Sequence, residues 1–297
     1  MATLTGSGGH IAKGPVDGPA NAAFNCVRTW GVTLAADLGE VICSATKQGR
    51  IRVPGNADWS GSFTAYGRMP PVMPRETFWF AGALEDGTPA AGVSGNCIVD
   101  SVVISWDQEA GTPIGYTVNF GGIGELMQGG AIVVPDDAAV PDPLSSKGCL
   151  LKIGTMVAVP VYTEVAEVRT MSLTLSADNQ QIFTAGGSGW PGRAAGNIDV
   201  AVEATVYAND ADGWASFPQP NGVNAVQMFI DGSDFWLLKW LRWSDLGGMD
   251  VDIEGSAMVG GSLSGAFSGF ENDGSDGDNR VVGTVTDPDD AEWWPLA

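Results

Sequence analysis

The chain holds a single histidine, His10, among 297 residues. Histidine-activated nucleophiles and histidine-ligated metals are therefore not expected. Cysteine is nearly as scarce: Cys26, Cys43, Cys97 and Cys149 are widely spaced and form no CxxC pair. That leaves no zinc or dithiol motif, and the thiols are expected to pack as small apolar groups in a reducing cytoplasm. Cations are missing over long stretches. Between Glu76 and Ser146 there is no Lys or Arg against ten carboxylates, and between Trp243 and Asn279 there is none against eight. With a formal charge of -21 for the whole chain, the surface repels phosphates rather than gripping them, so an association with DNA is one of containment or passage. Solubility alone is the simpler reading of the same charge. No apolar run is long enough to span a bilayer, since the best candidate, Cys149 to Val165, is broken by Lys152, Pro160 and Glu164; no membrane partner is expected. Residues Met1 to Gly9 lack the basic start and apolar core of a secretory signal. No GxxxxGK[ST] loop occurs.

What is present is a β composition. Hydrophobic residues make up 44% and charged residues 16%, with 42 Gly and 17 Pro, which fits short strands joined by tight turns and not a disordered chain. Strands are predicted over 28–35, 58–66, 77–84, 97–106 and 114–120. The last two form a hairpin around the Glu109-Ala110-Gly111 turn. Residues 135–148 carry three prolines and three aspartates without periodicity and read as a linker. Further strands are predicted over 168–175, 198–207, 226–230, 235–243, 250–258, 262–270 and 280–286. The segment from Phe235 to Trp243 also fits a helix, with Trp236, Trp240 and Trp243 on one face, Asp234 as its cap and Gly247 at its end. Aligning Trp243 with Trp106 makes it a strand apolar on both faces, and a strand is the reading adopted.

The chain also repeats itself. Val32-Thr33-Leu34-Ala35-Ala36-Asp37 is answered by Leu173-Thr174-Leu175-Ser176-Ala177-Asp178, and Gly55-Asn56-Ala57-Asp58 by Gly196-Asn197-Ile198-Asp199, both at a spacing of 141 residues. The second match runs on through Thr64 to Tyr66 against Thr205 to Tyr207. One offset shared by separated blocks points to tandem duplication of a β unit. The expected organisation is a flexible arm over 1–24, a first β domain over 25–134, a connecting segment over 135–165, a second β domain over 166–272 and an acidic extension over 273–297. Residues 1–24 and 38–54, the latter carrying Lys47, Arg50 and Arg52, are expected to become ordered on assembly against an acidic neighbour.

Catalytic equipment is thin. Asp273-Gly274-Ser275-Asp276-Gly277-Asp278 has the composition of a calcium loop, but Ser275, Gly277 and Thr284 stand where ligands are required. Tryptophans stack on sugars in glycan-binding proteins, yet Trp59, Trp106 and Trp243 lie inside strand patterns where core packing is the usual fate. No carboxylate pair can be given acid and nucleophile roles. No catalytic, cofactor-binding or metal-binding residue is predicted, and no enzyme activity.

From Gly55 to Gly124 the chain resembles the major tail tube proteins of long-tailed bacteriophages. The elements are Gly55-Asn56-Ala57-Asp58-Trp59-Ser60-Gly61-Ser62-Phe63, then Ser94-Gly95-Asn96-Cys97-Ile98-Val99-Asp100-Ser101-Val102, then Tyr116-Thr117-Val118-Asn119-Phe120-Gly121-Gly122-Ile123-Gly124. Gly196 to Tyr207 and Gly261 to Gly269 repeat the pattern loosely. The resemblance implies a mainly β fold of two tandem sandwich or barrel domains with few helices, in a virion protein assembled in the bacterial cytoplasm. It further implies trimeric, pseudo-hexameric rings stacked into a tube, contacts with terminator, tape measure and distal tail proteins, and double-stranded DNA passing through the lumen. The chain departs from the family in showing no clear amphipathic helix. A tandem β-sandwich adhesin or carbohydrate-binding protein, and a jelly-roll glycan hydrolase, are the alternatives.

Overall fold

A computed structural model of the chain describes residues 9–20, 22–41, 51–67, 70–83, 92–129, 146, 149–155, 162–164, 167–183, 189–207, 223–229, 235–245, 260–267 and 281–282. These residues are mainly β, with no helix among them. The first strands are β1 (His10–Gly14), β2 (Ala22–Ala23), β3 (Val27–Val41), β4 (Ile51–Tyr66), β5 (Thr77–Ala83), β6 (Gly92–Asp107) and β7 (Gly115–Gln128). There follow β8 (Leu150–Thr155), β9 (Tyr162–Glu164), β10 (Glu167–Ala177), β11 (Gln180–Ile182), β12 (Gly192–Ala194), β13 (Ile198–Tyr207), β14 (Val223–Phe229), β15 (Phe235–Asp245), β16 (Gly260–Phe267) and β17 (Val281–Val282). Every strand except β11 and β12 belongs to one 15-stranded sheet.

Alternation along the strands sorts side chains to two faces. Val27, Ala65, Tyr116, Ile104, Leu173, Val202, Gly265 and Trp243 pair in turn across β3, β4, β7, β6, β10, β13, β16 and β15. All of them from Ala65 onward are buried. The opposite face carries Gly31, Ser62, Asn119, Ser101, Ser176 and Asp199 in one such row, and Thr29, Thr64, Thr117, Val103, Thr174, Ala201, Ala266 and Arg242 in another. That face is dominated by hydroxyls.

The sheet curls because its long strands are bulged, as at Val99/Ser101 in β6 and Ala36/Leu38 in β3. In the first half, β3 lies three strands from β6 on one side and β5 lies next to β6 on the other. Their aromatic side chains nevertheless meet over the core, with Trp30 and Phe80 ring centroids 6.1 Å apart and Phe80 4.9 Å from Phe120. Phe24 closes the end against Phe63 at 4.6 Å.

The strand order β2-β1-β5-β6-β7-β4-β3 in the first half has the same form as β9-β8-β14-β15-β16-β13-β10 in the second. Registers agree as well. Ala35 pairs with Asp58, and Ser176 pairs with Asp199, each 141 residues further on. The bulge between Val27 and Thr29 recurs between Val168 and Thr170, and that between Val99 and Ser101 recurs between Trp243 and Asp245. The far end of the β3–β4 hairpin, where Glu40 pairs with Arg52, is answered by β11–β12, where Gln181 pairs with Arg193. The repeated Gly-Asn-x-Asp motif has a steric origin: a Cβ on Gly55 would stand 2.9 Å from the Asp37 carbonyl oxygen, and one on Gly196 would overlap that of Asp178 at 1.6 Å.

Three expectations are corrected. Residues 10–24, read as a flexible arm, contain β1 and β2 and bury Ile11, Ala12 and Phe24. Their glycines and prolines flank strands too short to show a periodicity. The connecting segment 135–165 likewise contains β8 and β9, which hold the places of β1 and β2, so the second half begins near Cys149. Trp243 takes the place of Val99 and not of Trp106, because the bulge, not the matching indole, sets the register. The segment itself is strand β15, with Trp236, Leu238, Leu241 and Trp243 buried. The strand predicted over 250–258, most of that over 280–286, the linker prolines and the acidic extension apart from Val281–Val282 lie outside the described residues.

The paired glycines yield a stability test. Gly55→Ala and Gly196→Ala are each expected to destabilise by about 1–3 kcal/mol through overpacking, the second more than the first, as read by denaturant unfolding.

Candidate assembly interface

The two halves meet through backbone. The first part of β6 pairs with β5, and its second part, Ser101 to Asp107, pairs on the same edge with Ser176 to Thr170 of β10. Strand β10 therefore has a neighbour on each side, β13 and β6. Leu173 and Leu175 are fully buried there, and Met171 is 2% exposed.

A polar clamp lies at one end of this seam. It is built by the β11–β12 hairpin, which reaches over the first half. Arg193 on β12 is held with its side chain only 8% exposed. Its Nη2 lies 3.2 Å from both carboxylate oxygens of Asp58 on β4, its Nη1 lies 4.0 Å from Asp100 on β6, and its Nε donates to the Gly122 carbonyl at 2.9 Å. The guanidinium fits only because Gly121 lacks a side chain: a Cβ there would stand 2.2 Å from Arg193 Cζ. Asn179 donates to the Val99 carbonyl at 2.9 Å and to Asp100 at 2.8 Å, and Gln181 donates to Asp58. Two backbone bonds complete the clamp, from Ala57 N–H to the Gly189 carbonyl and from Gly124 N–H to the Pro191 carbonyl, both 2.9 Å. At the other end of the seam Gln108 N–H donates to the Arg169 carbonyl at 2.9 Å. The Arg169–Glu109 ion pair there is largely solvated and adds little.

Burial raises the Asp100 pKa above its ordinary value, while the Asn179 hydrogen bond and the Arg193 charge act to lower it and Asp58 acts to raise it. The folded chain thus binds this proton more tightly than the unfolded chain. Its contribution to stability is present at low pH and is lost as pH rises through the range just above the ordinary aspartate value.

The residues singled out in the sequence fall elsewhere. Trp59, Trp106 and Trp243 are core, at 1%, 2% and 5% exposure. His10 pairs with Ala83 in the β1–β5 ladder. Cys97 and Cys149 are buried, Cys26 is half-buried, and Cys43 lies outside the described residues. So do Lys47, Arg50 and the 273–278 loop, whereas Arg52 is an exposed residue of β4. Glu76, Asp100, Asp107, Glu109 and Glu125 of the first acidic run sit at the seam or toward strand ends and turns. Of the clamp residues, Asp58 was singled out in the sequence, within the repeated motif. Arg52 and Arg193 share the same 141-residue spacing, and that signal was available. No family model matches the chain, and no curated protein matches it.

Two outcomes are expected. Arg193→Ala leaves Asp58 and Asp100 facing each other without their cation and costs about 1–3 kcal/mol, measured by chemical denaturation. Asp100→Asn removes the titration, so any gain in Tm over the parent chain at neutral pH shrinks as the pH falls into the carboxylate range. A difference independent of pH would contradict the sign derived above.

Proposed function

We propose that this chain is a structural virion protein, the subunit of a bacteriophage tail tube, built from two duplicated β units and carrying out no catalysis. The observation that supports it most is the common strand order and register of the two halves, joined edge to edge through β6 and β10. Two like units joined by sheet extension are a short length of a ring. Three chains then supply six units, and a head-to-tail contact of this kind closes when the rotation per unit permits it.

The surface chemistry agrees with a conduit. The outward face of the sheet presents Ser62, Thr64, Ser101, Thr117, Asn119, Thr174 and Ser176, and long stretches of the chain contain carboxylates without cations. DNA phosphates find few cations on such a wall, so the genome slides instead of binding. Terminator, tape measure and distal tail proteins are the partners this reading brings with it. The glycan-binding alternative loses its aromatic platform in part, because the indoles of Trp59, Trp106, Trp236 and Trp243 are in the core.

Electron microscopy and sedimentation of the purified chain test the reading. Threefold rings or stacked tubes are expected as concentration rises. A chain that stays monomeric at every concentration and is retained on a glycan column contradicts it.

A further inference from the structure

Strand β3 holds in the first half the place that β10 holds in the second, but their surroundings differ. On its second edge β10 carries β6, whereas β3 pairs with β4 alone among the described residues. An unpaired edge of this length invites another strand. The apolar side chains match position for position: Trp30 with Met171, Val32 with Leu173, Leu34 with Leu175. Met171, Leu173 and Leu175 are buried, whereas Trp30 and Val32 are half-buried and Leu34 is 48% exposed.

The covered strand shows which stretch of the open one has room for a neighbour and what that neighbour must offer. Strand β6 lies along Thr170 to Ser176, and the residues that stand 141 positions earlier are Thr29 to Ala35. Opposite Met171, Leu173 and Leu175 it sets Trp106, Ile104 and Val102 on the core side, with Ser105 and Val103 between them. Strand β3 itself meets that requirement. Run antiparallel, it sets Leu34, Val32 and Trp30 opposite Trp30, Val32 and Leu34, with Thr33 and Gly31 between them. The stretch from Thr29 to Ala35 is centred on Val32, so the strand meets itself over its whole length.

We propose that β3 is the contact of a symmetric dimer, pairing antiparallel with β3 of a second copy about a twofold axis at Val32. Facing residues then differ by an even number, so both apolar rows lie on one side of the joined sheet. Each Trp30 indole stands beside the smaller Leu34 of the other copy, and the half-exposed row is covered as Met171, Leu173 and Leu175 are covered by β6. Charge selects the direction. Arg28 and Asp37 flank the stretch, so antiparallel pairing brings unlike charges together at both ends, while parallel pairing would set like beside like. Arg28 is exposed over the Tyr66 ring at 4.8 Å, and a stacked guanidinium keeps its in-plane donors available. The contact is isologous and closed, each copy giving and receiving the same strand. It goes beyond the tail-tube reading and does not rest on it: a pair has to open before β3 can serve in a ring.

Sedimentation of the full chain over a range of concentrations, with thermal unfolding of each variant to confirm folding, tests the pair. The parent chain is expected to pass from monomer to dimer. Leu34→Asp, at a side chain already half in solvent, is expected to raise the dimer dissociation constant at least about tenfold by burying a charge, without lowering the Tm of the monomer. Directly opposed Cβ atoms lie about 4.5–5.5 Å apart, so Val32→Cys is expected to cross-link to its own copy under a mild oxidant, well above the background of the parent chain. Ala35→Cys, which would stand opposite Thr29 and far from its own copy, is expected not to. Should Leu34→Asp dimerise as the parent does, or Val32→Cys cross-link no better than Ala35→Cys, the pairing is wrong. A parent chain that goes directly to threefold rings with no dimer overturns the pair and leaves the tail-tube reading standing. Dimers that never grow at any concentration do the reverse, and a chain that stays monomeric overturns both.

Discussion

Backbone pairing between β6 and β10 is the constraint on which the rest of the structure depends. Buried N–H and C=O groups must find partners, and among the described residues the second part of β6 finds them on that edge in β10. Once the ladder forms, Val102, Ile104 and Trp106 lie beside Leu175, Leu173 and Met171 on one face. Full burial of each such side chain contributes about 1.5–3 kcal/mol. The Arg193 clamp then sets how far the second half can slide or twist, because its guanidinium fits only over Gly121 and only between two carboxylates. Apolar burial supplies the stability, and the buried charges supply the position.

The fold class was legible because it is written with a period of two. Ile98, Val102, Ile104 and Trp106 in β6, and Leu173 and Leu175 in β10, announce strands wherever the core lies on one face. The correspondence between halves was legible from Gly55 and Gly196, glycines fixed by the carbonyls of Asp37 and Asp178. Strands β1 and β2 were not, because five residues reading His-Ile-Ala-Lys-Gly and two alanines hold too few side chains to show alternation. The place of Trp243 was missed for a different reason: one indole was matched with another, whereas the bulge at Trp243/Asp245 answers the one at Val99/Ser101, and a bulge leaves no mark in composition.

The clamp was the least legible part. Arg193, Asp58, Asp100 and Asn179 are contributed by four separate stretches, and nothing local in any of them calls for the others. What the sequence did hold was a pair of arginines, Arg52 and Arg193, at the spacing of the repeat.

The asymmetry between the covered strand and the open one is the physical core of this account, and amide hydrogen exchange measures it directly. Amides of β10 and β3 would be followed in the free chain and in the assembled form. The account predicts that β10 is strongly protected in both, while the edge amides of β3 exchange quickly in the free chain and slow on assembly. Equal protection of β3 in the two states, or a β10 protected only after assembly, would contradict it.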